Sequence, residues 1–174
     1  NLISSFCGKT PVIHGEAFID ISARIIGDVT VEEGASIWPM AVIRADSSTI
    51  HIGRNAAVLD LSLIEAPAGN PVIIDDEALI SHRAVIHGAH IQKGALVGIG
   101  SIILDGAVIS SGSIVAAGSV VAPGTKLPPN SLVVGIPGRI VRGTTDKERG
   151  LVLEQIHELY TKSRHYKSRE RRGA

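Results

Sequence analysis

Residues 91–121 read IQKGALVGIGSIILDGAVISSGSIVAAGSVV, with Ile or Val at 91, 97, 103, 109, 115 and 121, one every six residues. Toward the N-terminus the register continues through 86, 80 and 74, then 64, 58 and 52, then 43, 37, 31, 25, 19 and 13. All eighteen positions are Ile or Val. Four residues after each comes Ala, Ser, Thr or Val in seventeen cases; the exception is His90, where one step shortens to five. A six-residue period cannot keep one face of a 3.6-residue helix apolar. It suits short strands joined by tight corners, where a β-branched residue points inward and a small one fits the bend. Glycines such as Gly27, Gly34, Gly94, Gly100, Gly112 and Gly118 serve the corners. The expected fold is an all-β solenoid: eighteen steps, three to a coil, give about six coils of parallel strands around an Ile/Val interior.

Composition agrees with a solenoid better than with an average globular core. Of 174 residues, 44% are hydrophobic but only 3% aromatic, so the apolar mass is aliphatic. The length excludes two large domains. Lys plus Arg and Asp plus Glu are both 17, and this zero formal charge argues against a nucleic-acid or anionic-membrane partner. The single cysteine, Cys7, rules out an intramolecular disulfide framework, suits a reducing cytoplasm, and is expected to be a buried or inert thiol. No basic stretch followed by an apolar run opens the chain. Residues 106–125 carry no charge, yet they contain four Gly and Pro123 and keep the hexapeptide register, so they read as coils and not as a membrane span.

Two interruptions mark loops: three extra residues around Asp46-Ser47-Ser48 and four extra around Pro67-Ala68-Gly69-Asn70-Pro71. Residues 1–142 form the solenoid unit. Residues 143–174 form a C-terminal helix, with Leu153, Ile156, Leu159 and Tyr160 at helical spacing, and a basic tail expected to be solvated.

Seven histidines are present, and three crowd into SHRAVIHGAH at 81–90. His82 is the third residue of one step and His87 the second of the next, so a corner separates them and they face different sides of the solenoid. Glu65 and His87 lie 22 residues apart, one 18-residue coil plus the four-residue insertion, and both hold second place in their steps. They therefore stack one coil apart, about 4.8 Å, where a carboxylate and an imidazole can grip one metal ion. The third ligand is expected to be His82 of a neighbouring subunit, in a head-to-tail ring of three. The competing reading leaves all three as outward polar residues; His14, His51, His157 and His165 are read so in any case.

SIWPMAVIRAD (36–46), SHRAVIHG (81–88), VGIGSIILDGAVI (97–109) and SLVVGIPGRIVR (131–142) resemble the gamma-class carbonic anhydrase family of the hexapeptide-repeat superfamily. The resemblance implies a left-handed β-helix of triangular section, a homotrimer, and zinc, iron or cobalt bound between subunits by three histidines. His82 and His87 match two of those ligands. The segment AVLDLSLIE departs from the family's N-I-Q-D-G-x-x-x-H, placing Ala57, Leu59, Leu61 and Glu65 where Asn, Gln, Gly and the first His are expected; Asp60 is retained. Arg44 and Asp46 match the family's R-G-D motif, and with Asp60 they are expected to form a polar network beside the metal. The implied reaction is hydration of carbon dioxide to bicarbonate, weakened or lost through Glu65 and Leu59. The rivals are a hexapeptide acyltransferase using acyl-coenzyme A with a His as general base and a non-catalytic trimeric assembly protein.

Overall fold

The computed structural model describes residues 2–172, with side chains through 169. The chain winds into a parallel β-solenoid of about seven turns and ends in one helix, Asp146–Arg172. On one side Ile19, Ile37, Val58, Ile80, Val97, Val115 and Val133 pair in order from coil to coil. This ladder is closed to solvent apart from Ile19, which is partly buried and packs against it. Burying each such side chain stabilises the fold by about 1.5–3 kcal/mol.

The seventh turn arises because the six-residue register runs on past Val121 to Leu127 and Val133, both buried. Ile3 pairs with Ile25 before the first full coil. The two long strands, Arg24–Val31 and Val42–Ile52, bend round a corner and join two of the three sides into one 11-stranded sheet. Small residues at the bends need not be apolar: the buried Ser62 and Ser101 hydroxyls donate to the Ser81 and Ala116 carbonyls, which meets the cost of burying a hydroxyl. Residues 106–125 form three short strands of the solenoid, and no described helix is long and apolar enough to cross a membrane. Cys7 is exposed, so of the two states expected for it, buried or inert, the buried one does not hold.

The solenoid ends in an antiparallel hairpin, Ser131–Val134 with Arg139–Gly143. The helix then starts at a reciprocal cap: the Glu148 backbone N–H donates to Thr145 Oγ1 and the Thr145 N–H to Glu148 Oε2. Its 27 residues span about 40 Å, enough to run back along seven coils at about 4.8 Å each. Val152, Ile156 and Ser163 are its buried residues among those described, and Ile156 packs with Leu159 in the satellite cluster of Phe18, Trp38, Ala57, Leu59 and Leu79. Leu153 and Tyr160, which share the expected apolar spacing, are exposed. Part of the basic tail is docked and not solvated. Tyr166 packs tilted against Phe18 and edge-to-face with Trp38, Arg164 pairs with Glu16, and Lys167 donates to the carbonyls of Gly15 and Ala17. The side chains of Arg171 and Arg172 lie outside the described residues.

Candidate functional site

Arg44, Glu65 and His87 occupy one outward column. Each falls in register with the next across three successive coils, so the 22-residue offset does bring Glu65 directly over His87. The two carboxylate oxygens of Glu65 have different partners. Oε1 accepts from Arg44 Nη2 at 2.7 Å, and Oε2 lies 3.7 Å from His87 Nε2. Arg44 also donates through Nη1 to Asp46 at 2.9 Å. That hydrogen bond, together with the charge of Glu65, holds the guanidinium above its ordinary pKa against partial desolvation.

Both histidines are tied at Nδ1 to a carboxylate. His82 Nδ1 lies 3.1 Å from Asp60 Oδ1, one coil away. His87 Nδ1 is bonded to Asp105 in the coil beyond. An ionised carboxylate only accepts, so each ring carries a proton on Nδ1, and the neutral form of the ring keeps its lone pair on Nε2. Asp60 thus partners His82 and does not join the Arg44–Asp46 pair within one subunit. Asp105 was not singled out from sequence; the available signal is its place in SIILDG, eighteen residues after His87 and one position past the register of that coil, which the short step at His90 reduces to seventeen residues.

His82 does not join Glu65 and His87 in the same chain. It follows the strand Leu79–Ile80, whereas His87 ends the strand Val85–His87 beyond a corner at Arg83. Among the described residues of one chain, no three His, Cys, Asp or Glu side chains converge as a metal cage. A tetrahedral ion at about 2.0–2.2 Å from each donor separates two donors by about 3.4 Å, close to the distance between Glu65 Oε2 and His87 Nε2. The second-sphere carboxylates on both imidazoles are the usual support of metal-bound histidines. Glu65 Oε2 and His87 Nε2 are therefore spaced as two donors to one divalent ion would be, without a third such donor beside them among the described residues of the chain.

The edge carrying His82 is apolar and strained. Leu61 and Met40 are exposed there, with Ile21 and Ile99 on the same corner in neighbouring coils. Met40, Leu61 and Arg83 adopt φ of 59, 62 and 58°, at corner positions where later coils place Gly100 and Gly118. Such residues cost about 1–2 kcal/mol each relative to ordinary backbone. Beside them a cleft of about 390 Å³ opens between solenoid and helix, lined by Trp38, Leu59, Asp60, His82, Glu158 and Lys162. The larger cleft, about 620 Å³, lies between Glu33, Arg54, Glu77 and His157 and contains none of these site residues.

No family model matches the chain. A protein named "probable carbonic anhydrase" from Methanocaldococcus jannaschii is 52% identical over 126 residues, 72% of this chain and 79% of that protein. A carbonic anhydrase from Geobacillus kaustophilus is 39% identical over 167 residues, 96% and 92% of the two chains. The solved structure of a hexapeptide transferase family protein from Anaplasma phagocytophilum superposes with a TM-score of 0.91 at 31% identity, covering 95% of this chain and 98% of that one. Sequence likeness over nearly the full length, the hexapeptide ladder and the solenoid-plus-helix architecture agree: the chain belongs to the gamma-carbonic-anhydrase-like family of hexapeptide-repeat, left-handed β-helix proteins.

Proposed function

We propose that this protein is a gamma-carbonic-anhydrase-type metalloprotein that hydrates carbon dioxide at a site shared between the subunits of a homotrimer. Glu65 and His87 of one protomer and His82 of a neighbour hold a divalent zinc, iron or cobalt ion. The observation that carries this reading is the Glu65–His87 pair, whose facing atoms stand 3.7 Å apart while their far atoms are committed to Arg44 and Asp105. Such an ion supplies Lewis acidity that brings the pKa of water toward neutrality.

The chain's own residues set the terms of that chemistry. Arg44 occupies Oε1 and leaves Glu65 as a one-oxygen donor. Its charge offsets the carboxylate, so the donor set stays nearer in net charge to three imidazoles than Glu65 alone would make it. Asp46 holds Arg44 in place from its other nitrogen, and Asp60 fixes the His82 tautomer. Leu59, buried against the helix-packed cluster, gives the neighbouring wall no hydrogen bond, and activity is expected to be modest. The exposed apolar corner of Ile21, Met40, Leu61 and Ile99 flanks His82 and supports burial of that edge in a subunit contact.

A second reading is acyl transfer from acyl-coenzyme A. A His–carboxylate pair suits a general base as well as a ligand, and the Anaplasma relative is named a transferase. Elemental analysis of the purified trimer, with stopped-flow hydration before and after metal loading, tests the first reading. A trimer carrying stoichiometric metal and losing activity and thermal stability to a chelator supports it. A monomer, or a trimer that takes up no zinc, iron or cobalt yet melts higher with coenzyme A, replaces it with the second.

A further inference from the structure

His87 is gripped at both ring nitrogens from different coils. Nε2 faces Glu65 in the coil before, and Nδ1 is bonded to Asp105 in the coil after. The corner carrying Asp105 is fixed by backbone bonds on both sides: its own carbonyl accepts from Gly124 N–H at 2.8 Å, and the next residue, Gly106, donates to the Gly88 carbonyl at 2.7 Å. The carboxylate is thus delivered to the imidazole by a rigid bend and not by a mobile loop. Carboxylates elsewhere on the solenoid also meet imidazoles, Asp75 with His90 and Glu32 with His51, but neither of those rings faces Glu65. An imidazole free to rotate or to exchange tautomers would present Nε2 to Glu65 only part of the time.

We propose that Asp105 is a positioning residue for the metal centre: it keeps the His87 proton on Nδ1 and the ring plane fixed, so that the Nε2 lone pair is presented beside Glu65 Oε2. This role rests on the metal reading above. It gives the two imidazoles equivalent supports, Asp60 behind His82 and Asp105 behind His87. Its converse is that Asp105 acts through His87 and touches neither metal nor substrate.

The test compares wild-type trimer with Asp105→Ala and Asp105→Asn. Zinc affinity is measured by competition with a chromogenic chelator, and the visible spectrum is recorded with cobalt in place of zinc. Asp105→Ala is expected to weaken zinc by about 10- to 100-fold and to shift the cobalt bands, with trimer mass unchanged. Asp105→Asn, whose amide oxygen still accepts from Nδ1–H, is expected to recover most of that loss; it also carries the test should the alanine variant fail to fold. Affinity within threefold of wild type in both variants, or a lowered melting temperature with unchanged affinity and spectrum, overturns the positioning role and leaves the metal reading intact. A wild-type trimer that binds no zinc or cobalt overturns the metal reading and this role with it.

Discussion

Leu61 combines backbone strain with an exposed apolar side chain on the His82 edge, so Leu61→Gly has two opposite expected effects. Its φ of 62° costs about 1–2 kcal/mol for an L-residue. Glycine removes that cost and gives back about 0.5–1 kcal/mol in lost unfolded-state restraint. The isolated subunit should therefore be unchanged or up to about 1.5 kcal/mol more stable. The side chain is half exposed, 51%, and a fully buried Leu is worth about 1.5–3 kcal/mol, so covering the exposed half in a subunit contact contributes about 1 kcal/mol. Three equivalent contacts make about 3 kcal/mol per trimer, or roughly 100-fold in its dissociation constant. Urea unfolding followed through Trp38, the one tryptophan, over a dilution series separates the two quantities, with sedimentation velocity reporting mass. A trimer dissociation constant within threefold of wild type would place this corner outside the interface. A subunit less stable with glycine would refute the strain assignment.

Glu65→His restores a three-imidazole set, and zinc should bind as tightly or more tightly, with carbon dioxide hydration rising modestly; Glu65→Ala should lower metal occupancy by elemental analysis. Adding Leu59→Gln should destabilise by about 1–3 kcal/mol in urea melts, because an amide would enter the apolar cluster beneath the helix. Deleting residues 166–174 removes the Tyr166 contacts and the Lys167 anchor, and the melting temperature should fall. Glu148, lowered from 4.5 to about 2 by its Arg142 and Thr145 hydrogen bonds, stabilises the helix start above its unfolded pKa. That contribution should fade as pH falls from about 4.5 toward 2, and Glu148→Gln should flatten stability over that window.

The ladder was legible because β-branched residues at a fixed spacing leave one geometric solution, and the Glu65–His87 register followed from counting coils. The seventh turn escaped because Leu127 is not β-branched and is followed by Pro128 and Pro129, which look like the end of a repeat. The helix face was misjudged because Val152 and Leu153 are adjacent and both apolar. The Phe18–Trp38–Leu59 platform, assembled from three different coils, receives Ile156 and Leu159 and leaves Leu153 exposed. Asp105 sits in a Leu-Asp-Gly corner, whose local chemistry is that of any turn; its bond to His87 exists only after winding. Lys167 and Tyr166 likewise read as a solvated cationic end until residues 15–18 are brought beneath them.

That return of the helix to the first coil alters how the molecule can come apart. In an open repeat stack each unit contacts only its neighbours, so the ends fray first and loss propagates inward as in a one-dimensional zipper. Here Arg164 and Lys167 hold Glu16 and the adjoining carbonyls across 148 to 152 residues of sequence, while the helix begins beside the last coil, where the Thr144 N–H donates to the Asn130 carbonyl and Thr144 Oγ1 reaches the Gly112 carbonyl one coil before. The two ends of the zipper are clasped by a strut along its length. Opening either terminal coil therefore requires breaking the strut as well, and a chain whose contacts would otherwise be nearest-neighbour gains the all-or-none cooperativity of a closed loop.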